Sequence, residues 1–206
     1  MTDMTMALYW GSASPFVRKV MASAHELGLA DRIEILDSAA HPVERDSRIQ
    51  AFNPLARVPA ARTGDGTLLY DSRVICEYLD AQAGGGLFPA AGPQRWTALR
   101  RQALTDGLLE AALLIRYERL ARPEALHWPS WLEKQQEKID DALDAMASDI
   151  PATGCHDIGA ISYACALGWL AFRFPEMGAT TRRPALASWH AAFETRPAMV
   201  ATRPSA

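Results

Sequence analysis

The chain has few cysteines, no long apolar run and no excess of basic charge. Cys76, Cys155 and Cys165 show neither a CxxC nor a metal-ligand spacing, so we expect no bound metal and a reducing, cytoplasmic location. The formal net charge of -3 offers no positive field for nucleic acid or an anionic membrane. The longest charge-free apolar stretch, residues 158–172, is shorter than the roughly 18 residues of a membrane-spanning helix. These absences predict a soluble globular protein without nucleic-acid or membrane partners.

A stretch rich in glycine and proline, residues 84–93, divides the chain into two parts. The first part alternates predicted strands and helices in the order β-α-β, then α, then β-β-α. The second part contains no convincing strand. The sequence therefore predicts a mixed domain over residues 1–83, a linker over residues 84–93 and an all-helical domain over residues 94–206.

The individual elements follow from hydrophobic periodicity and from turn residues. In the first part we predict strands over residues 7–10, 32–36, 58–62 and 67–70, and helices over residues 15–27, 43–51 and 72–82. In the second part we predict helices over residues 94–121, 130–148, 158–172 and 184–195, followed by a short tail. The helix over residues 158–172 is apolar almost all round, which predicts a buried position.

A serine stands at the predicted start of the first helix. Pro15 suits the first helical position, where a missing N–H costs nothing, so Ser14 falls at the N-cap. Its hydroxyl then lies at the positive end of the helix, where backbone donors face outward. A hydroxyl at this place can stabilise an anion such as a thiolate.

A proline interrupts the strand-like run that begins near residue 58. Proline cannot donate to a sheet ladder, so Pro59 marks a bend. A cis peptide bond between Val58 and Pro59 explains that bend most economically.

A third motif, Asp71-Ser72, follows the last predicted strand of the first part. We place Ser72 at the N-cap of the next helix, where backbone N–H groups and its hydroxyl can bind a carboxylate. Asp71 can pair with an ammonium group. A fourth motif, Asp157-Ile158-Gly159-Ala160, leads the buried helix and has a structural role. A capping box would have serine or threonine where this chain has Gly154.

Together these four motifs and the order of elements resemble the glutathione transferase family over nearly the whole chain. The resemblance implies a thioredoxin-like N-terminal domain followed by an all-helical C-terminal domain that lines the pocket for an electrophile, that is, an α/β part plus an all-α part. It implies glutathione as co-substrate without a metal, a small hydrophobic electrophile as second substrate, a role in detoxification, and a homodimer. The Ser-Pro-Phe segment is similar to that of tau-class enzymes and indicates a bacterial member of the serine type.

The resemblance also implies roles for particular residues. Ser14 would contact the glutathione sulfur and lower its pKa, with Ser12 as the competing hydroxyl. The backbone of Val58, exposed by a cis Pro59, would pair with the cysteinyl part of glutathione. Three further side chains would bind the charged ends of the tripeptide: Arg57 the glycyl carboxylate, and Asp71 and Ser72 the γ-glutamyl group. A solvated surface position is an equal alternative for Arg57.

Two alternatives to a transferase were weighed. A thiol-disulfide or dehalogenating enzyme of the same fold requires a cysteine where this chain has Ser14. A binding or regulatory module of the same fold remains open, because a fold does not fix a function. Such a module could hold glutathione without ionising its thiol.

Overall fold

The computed structural model describes residues 6–205. Its strands are β1 (Met6–Trp10), β2 (Ile33–Asp37), β3 (Ala60–Thr63) and β4 (Leu68–Leu69). Its helices are α1 (Pro15–Glu26), α2 (Ser47–Gln50), α3 (Ser72–Gln82), α4 (Gly92–Ala121), α5 (Pro129–Ser148), α6 (Ile158–Arg173), α7 (Pro184–Phe193) and α8 (Pro197–Ala201). Short 3-10 turns precede β2 and follow α4 and α6. The mixed first part and the helical second part confirm the predicted fold class.

The chain divides into two compact units. The first contains the described residues up to Arg95 together with those from Thr195 onward, and the second runs from Trp96 to Glu194. The sequence assigned residues 195–206 to the helical domain, whereas the described ones, residues 195–205, group with the first unit. The boundaries at residues 83 and 94 stay a prediction.

The sheet of the first unit has the strand order β2-β1-β3-β4. β2 is parallel to β1, while β3 is antiparallel to both β1 and β4. In this register Tyr9 lies opposite Ala60, and Ala61 lies opposite Leu69. The C-terminal ends of β1 and β4 and the N-terminal end of β3 therefore meet at one edge of the sheet.

Two predicted elements differ from the structure. The helix expected over residues 43–51 is only the single turn α2, capped by Asp46, whose carboxylate accepts a hydrogen bond from the Arg48 amide at 2.9 Å. The tail after Pro197 forms α8, which the sequence did not predict. Arg196 binds Glu26 through two hydrogen bonds of 2.7 Å, and the Arg18 guanidinium donates to the Met199 carbonyl at 3.2 Å. These contacts join segments about 170 residues apart, so no local sequence pattern announces them.

The second unit is built around α6. Every residue from Ile158 to Leu167 is buried in this helix, which confirms the predicted central position. Asp157 caps it, accepting a hydrogen bond from the Ala160 amide at 2.9 Å. Beside its start, Arg101 forms two hydrogen bonds to Asp149 of 2.7 and 3.1 Å. These bonds hold the pKa of the Asp149 carboxyl below its usual value.

Candidate functional site

Ser14 caps helix α1 as predicted. It has extended backbone angles (φ -86°, ψ 121°), and its hydroxyl oxygen accepts a hydrogen bond from the Val17 amide at 3.3 Å. Pro15 occupies the first helical position. The Ser14 amide donates to the Gly11 carbonyl at 2.9 Å, which closes a tight turn between β1 and α1. The turn and the cap together fix the hydroxyl at the N-terminal end of a 12-residue helix.

The Ser14 hydroxyl can donate a hydrogen bond to a ligand. The side chain is half-buried, and in the structure it acts only as an acceptor, toward Val17. A serine hydroxyl carries one donor in addition to its acceptor sites. Ser12 is also half-buried, but it lies in the turn before the helix. Only Ser14 therefore combines an available O–H with a position at the helix N-terminus.

Gly11 lies between Ser14 and the loop before β3. A methyl group placed on Gly11 would stand 3.7 Å from both the Ser14 Cβ and a methyl of Val58. The Val58–Pro59 peptide bond is cis, which confirms the prediction. Within residues 6–205, the backbone N–H and C=O of Val58 make no hydrogen bond. A backbone edge next to the serine is thus open to a ligand.

A buried asparagine shapes this loop. The Asn53 side chain is 3% exposed, donates to the Arg57 carbonyl at 3.0 Å and accepts from the Leu55 amide at 3.0 Å. The chain between them passes through Ala56, whose φ of 52° lies in the left-handed region. Asn53 therefore holds the backbone that presents Val58. No local sequence pattern predicts this role of Asn53.

The Arg57 side chain points away from this scaffold. It is exposed, and only its backbone carbonyl takes part in the Asn53 contact. The structure therefore leaves both readings of Arg57 open, as a ligand contact or as a solvated surface residue.

The Asp71-Ser72 motif begins α3, with one correction. Asp71, not Ser72, is the N-cap: its carboxylate accepts from the Arg73 amide at 2.9 Å. Ser72 is the first helical residue and is 2% exposed. The predicted cap was one residue late, because aspartate in an extended conformation caps a helix as well as serine does. The exposed carboxylate of Asp71 and the first amides of α3 still lie together.

The sheet brings these three segments to one edge. Ser14 follows the end of β1, Val58 precedes β3, and Asp71 follows the end of β4, and these strand ends are neighbours in the register. The edge thus offers a hydroxyl at one helix start, a free backbone pair, and a carboxylate beside a second helix start. Such a set suits a small peptide-like ligand that has an ammonium group, carboxylates and an ionisable thiol.

Among residues 6–205, no group of three or more His, Cys, Asp or Glu side chains could hold a metal ion. The helices in that same range are all too short or too polar to cross a membrane. Cys76 and Cys165 are buried. Burial raises the pKa of the Cys155 thiol, so it remains protonated at neutral pH.

Comparison with known proteins agrees with this geometry. The family models for the glutathione S-transferase N-terminal and C-terminal domains match residues 13–82 and 129–192. A glutathione transferase family member from Pseudomonas fluorescens Pf-5, solved with bound glutathione, shares 43% identity and a TM-score of 0.94, covering 98% of this chain and 100% of its own. A second structure from that organism contains bound S-(propanoic acid)-glutathione, with 42% identity, a TM-score of 0.89 and the same coverage.

A curated relative extends the comparison. The uncharacterized GST-like protein YibF of Escherichia coli K12 is 32% identical over 186 residues, which is 88% of this chain and 90% of YibF. The matches include both units of the chain and the residues of the site described above. The chain belongs to the glutathione S-transferase family.

Proposed function

We propose that this protein is a glutathione transferase that joins the glutathione thiolate to small hydrophobic electrophiles. The observation that carries the proposal is the Ser14 hydroxyl, which caps α1 and lies across Gly11 from the loop of Val58. The relatives solved with glutathione bound support the same ligand here. Membership of the family supports an enzymatic function, and the site has the groups that glutathione conjugation needs.

Each part of glutathione has a proposed partner in the first unit. The Val58 backbone pairs with the cysteinyl residue, since its N–H and C=O are free. The Asp71 carboxylate binds the γ-glutamyl ammonium, and Ser72 with the first amides of α3 binds the γ-glutamyl carboxylate. Arg57 reaches the glycyl carboxylate, and Pro59 shapes the loop.

Ser14 is the proposed catalytic residue. A free thiol has a pKa of about 8.5 and is mostly protonated at neutral pH. A hydroxyl hydrogen bond and a helix N-terminus both favour the anion and so lower that pKa. Each pKa unit corresponds to about 1.4 kcal/mol of preference for the thiolate. The thiolate attacks the electrophilic carbon, and binding both substrates side by side supplies further acceleration.

In this proposal, residues of the second unit bind the electrophile. On α4, Leu113 is half-buried and Tyr117 is 38% exposed, so both can contact a ligand, whereas Leu109 is buried. We further propose the domain division at residues 83 and 94, a homodimer, a cytoplasmic location and a role in detoxification, all from the family resemblance.

The proposal is tested by a pH titration of bound glutathione, followed by ultraviolet thiolate absorbance. In the native protein we expect ionisation well below the free pKa of the thiol. Ser14→Ala should move the pKa back by about 1 to 2 units, because a hydrogen bond to a charged group contributes about 1.5–3 kcal/mol. Ser12→Ala is the matched control and should titrate like the native protein. Cys155 adds little background, since its thiol pKa is raised.

The other outcomes of this titration are equally informative. If Ser12→Ala and not Ser14→Ala abolishes the shift, the catalytic hydroxyl is Ser12. If the native protein binds glutathione without ionising it, the binding module replaces the transferase. If it does not bind glutathione, both readings fail.

A second prediction concerns the γ-glutamyl end. Asp71→Asn should weaken glutathione binding about fivefold, because the ammonium loses a charged partner at an exposed position. Asparagine is as good an N-cap as aspartate, so α3 should keep its stability. Isothermal titration calorimetry measures the affinity, with Asp157→Asn, the same change at the N-cap of α6, as control. The native and Asp71→Asn proteins should have equal affinities for glutathione that lacks the α-amino group. If their affinities for this ligand still differ, Asp71 does not act by binding the ammonium group.

A further inference from the structure

Two arginines in the second unit stand side by side without a counter-charge. The start of α6 packs on the start of α4, since a methyl group on Gly159 would stand 2.8 Å from the Arg101 Cβ. Near the other end, the Arg119 guanidinium lies 5.9 Å from the centre of the Phe174 ring and 3.3 Å from Glu176. The two helices therefore run parallel, and Arg116 of α4 lies level with Arg173, the last residue of α6.

The arginine pair, Arg116 and Arg173, is electrostatically unfavourable by itself. Both side chains are half-buried. Burial, together with the nearby Arg116 charge, lowers the pKa of Arg173. Among residues 6–205 neither guanidinium forms an ion pair, whereas Arg119 one turn away has Glu176. Arg173 gains some stabilisation from the C-terminal end of α6, but Arg116 has no such benefit.

The geometry of Arg173 suits planar anion recognition. Its guanidinium lies 4.3 Å from the centre of the Phe172 ring, so an aromatic face restrains it. A restrained guanidinium presents its N–H fork in a fixed plane, which matches a carboxylate. The Arg116 guanidinium beside it strengthens the attraction for a single negative group. That group would also supply the counter-charge that Arg116 lacks.

We propose that Arg116 and Arg173 bind a carboxylate on the electrophile, so that the preferred second substrates are small organic acids with a leaving group. This inference rests on the proposed function. It follows from the position of the pair: Arg116 directly precedes Tyr117, on the part of α4 that we assign to the electrophile. A relative 42% identical to this chain was solved with a glutathione whose sulfur carries a propanoic acid group.

The chemical step balances with such a substrate. For a halogenated propanoic acid, the thiolate lone pair forms the new C–S bond, the C–halogen bond breaks, and halide leaves with its electron pair. The thiol proton has already passed to solvent, and the carboxylate is unchanged.

Three ligands and three variants test the inference by calorimetry. The ligands are glutathione, S-(propanoic acid)-glutathione and the corresponding S-propanamide, which has the same shape without the charge. The native protein should bind the acid about tenfold more tightly than the amide. Arg116→Gln and Arg173→Gln should each bring this ratio close to one and leave glutathione binding unchanged. Arg182→Gln, which removes an arginine paired with Asp140 in the same unit, should keep the native ratio.

The outcomes separate this inference from the function on which it rests. If none of the three ligands binds, the proposed function fails and the inference fails with it. Glutathione binding with equal affinities for acid and amide overturns the inference alone, as does a ratio that survives both glutamine substitutions. Arg116→Gln removes like-charge repulsion and no attractive partner, so it should not lower the free energy of unfolding. A variant that loses the ratio without losing stability has lost a ligand contact.

Discussion

Replacement of Ser14 by aspartate should lower kcat/KM for glutathione conjugation about thirtyfold at a pH below the thiol pKa of the native complex. The carboxylate would stand where we propose that the hydroxyl donates, about one hydrogen-bond length from the sulfur. A like charge at this distance costs about 4 kcal/mol near a protein surface, which corresponds to a rise of about three units in the thiol pKa. The thiolate fraction then falls about a thousandfold.

Two opposing effects set the size of this loss. A more basic thiolate is a better nucleophile, with a Brønsted coefficient of about 0.4–0.5. It therefore recovers roughly half of the lost rate on a logarithmic scale, which leaves a net loss of about thirtyfold. The loss of thiolate population outweighs the gain in thiolate reactivity because the Brønsted coefficient is below one.

Ser14→Asn is the matched control for this variant. Asparagine and aspartate have nearly the same shape and cap helices equally well, so both variants should keep the urea midpoint of the native protein. The asparagine amide can still donate to the sulfur, and we expect its kcat/KM within about threefold of native. Equal activities for the two variants would contradict an electrostatic role for this position, and the pH–rate profile should show the raised pKa only for aspartate.

The parts of the site that the sequence predicted are those fixed by neighbouring residues. Ser14 and Pro15 specify a cap and a first helical position within one turn, and the structure has both. The cis bond at Val58–Pro59 also follows from two adjacent residues and their strand-like context. Even the error at α3 was local, since Asp71 and Ser72 are both good capping residues and only their order decides between them.

Features held by distant contacts were not predicted. Helix α8 is too short for a periodic pattern, and it is held by Arg196 on Glu26 and by the Met199 carbonyl on Arg18. The pairing of Arg116 with Arg173 depends on how α4 and α6 pack, which no spacing along the chain encodes. The role of Asn53 likewise appears only once the loop has folded around its side chain.

The parallel packing of α4 and α6 depends on a glycine, and this gives the second prediction with a large effect. Gly159→Ala should destabilise the protein by about 1–2 kcal/mol. A Cβ at this position would stand 2.9 Å from the Ala98 carbonyl and 2.8 Å from the Arg101 Cβ. Both atoms belong to the α4 backbone or are bonded directly to it, so a side-chain rotation cannot relieve the contact. Overpacking of this kind typically costs about 1–3 kcal/mol.

Helix propensity acts in the opposite direction and decides the net sign. Alanine is favoured over glycine within a helix by about 0.8–1.0 kcal/mol, which reduces the cost but does not cancel it. The displaced Arg101 would also weaken its two hydrogen bonds to Asp149. We therefore expect a net loss, measured as a lower urea midpoint with an unchanged m-value.

Gly107→Ala in α4 isolates the propensity term. Gly107 is exposed inside a helix, and a methyl group there would meet nothing within 4 Å. The same substitution should therefore raise the free energy of unfolding by about 0.8–1.0 kcal/mol. Opposite signs at the two glycines mean that contact with the α4 backbone determines the effect at Gly159. If Gly159→Ala stabilises the protein, α4 and α6 can move apart. The contact at Gly159 would then not fix the alignment of the two helices that places Arg116 beside Arg173.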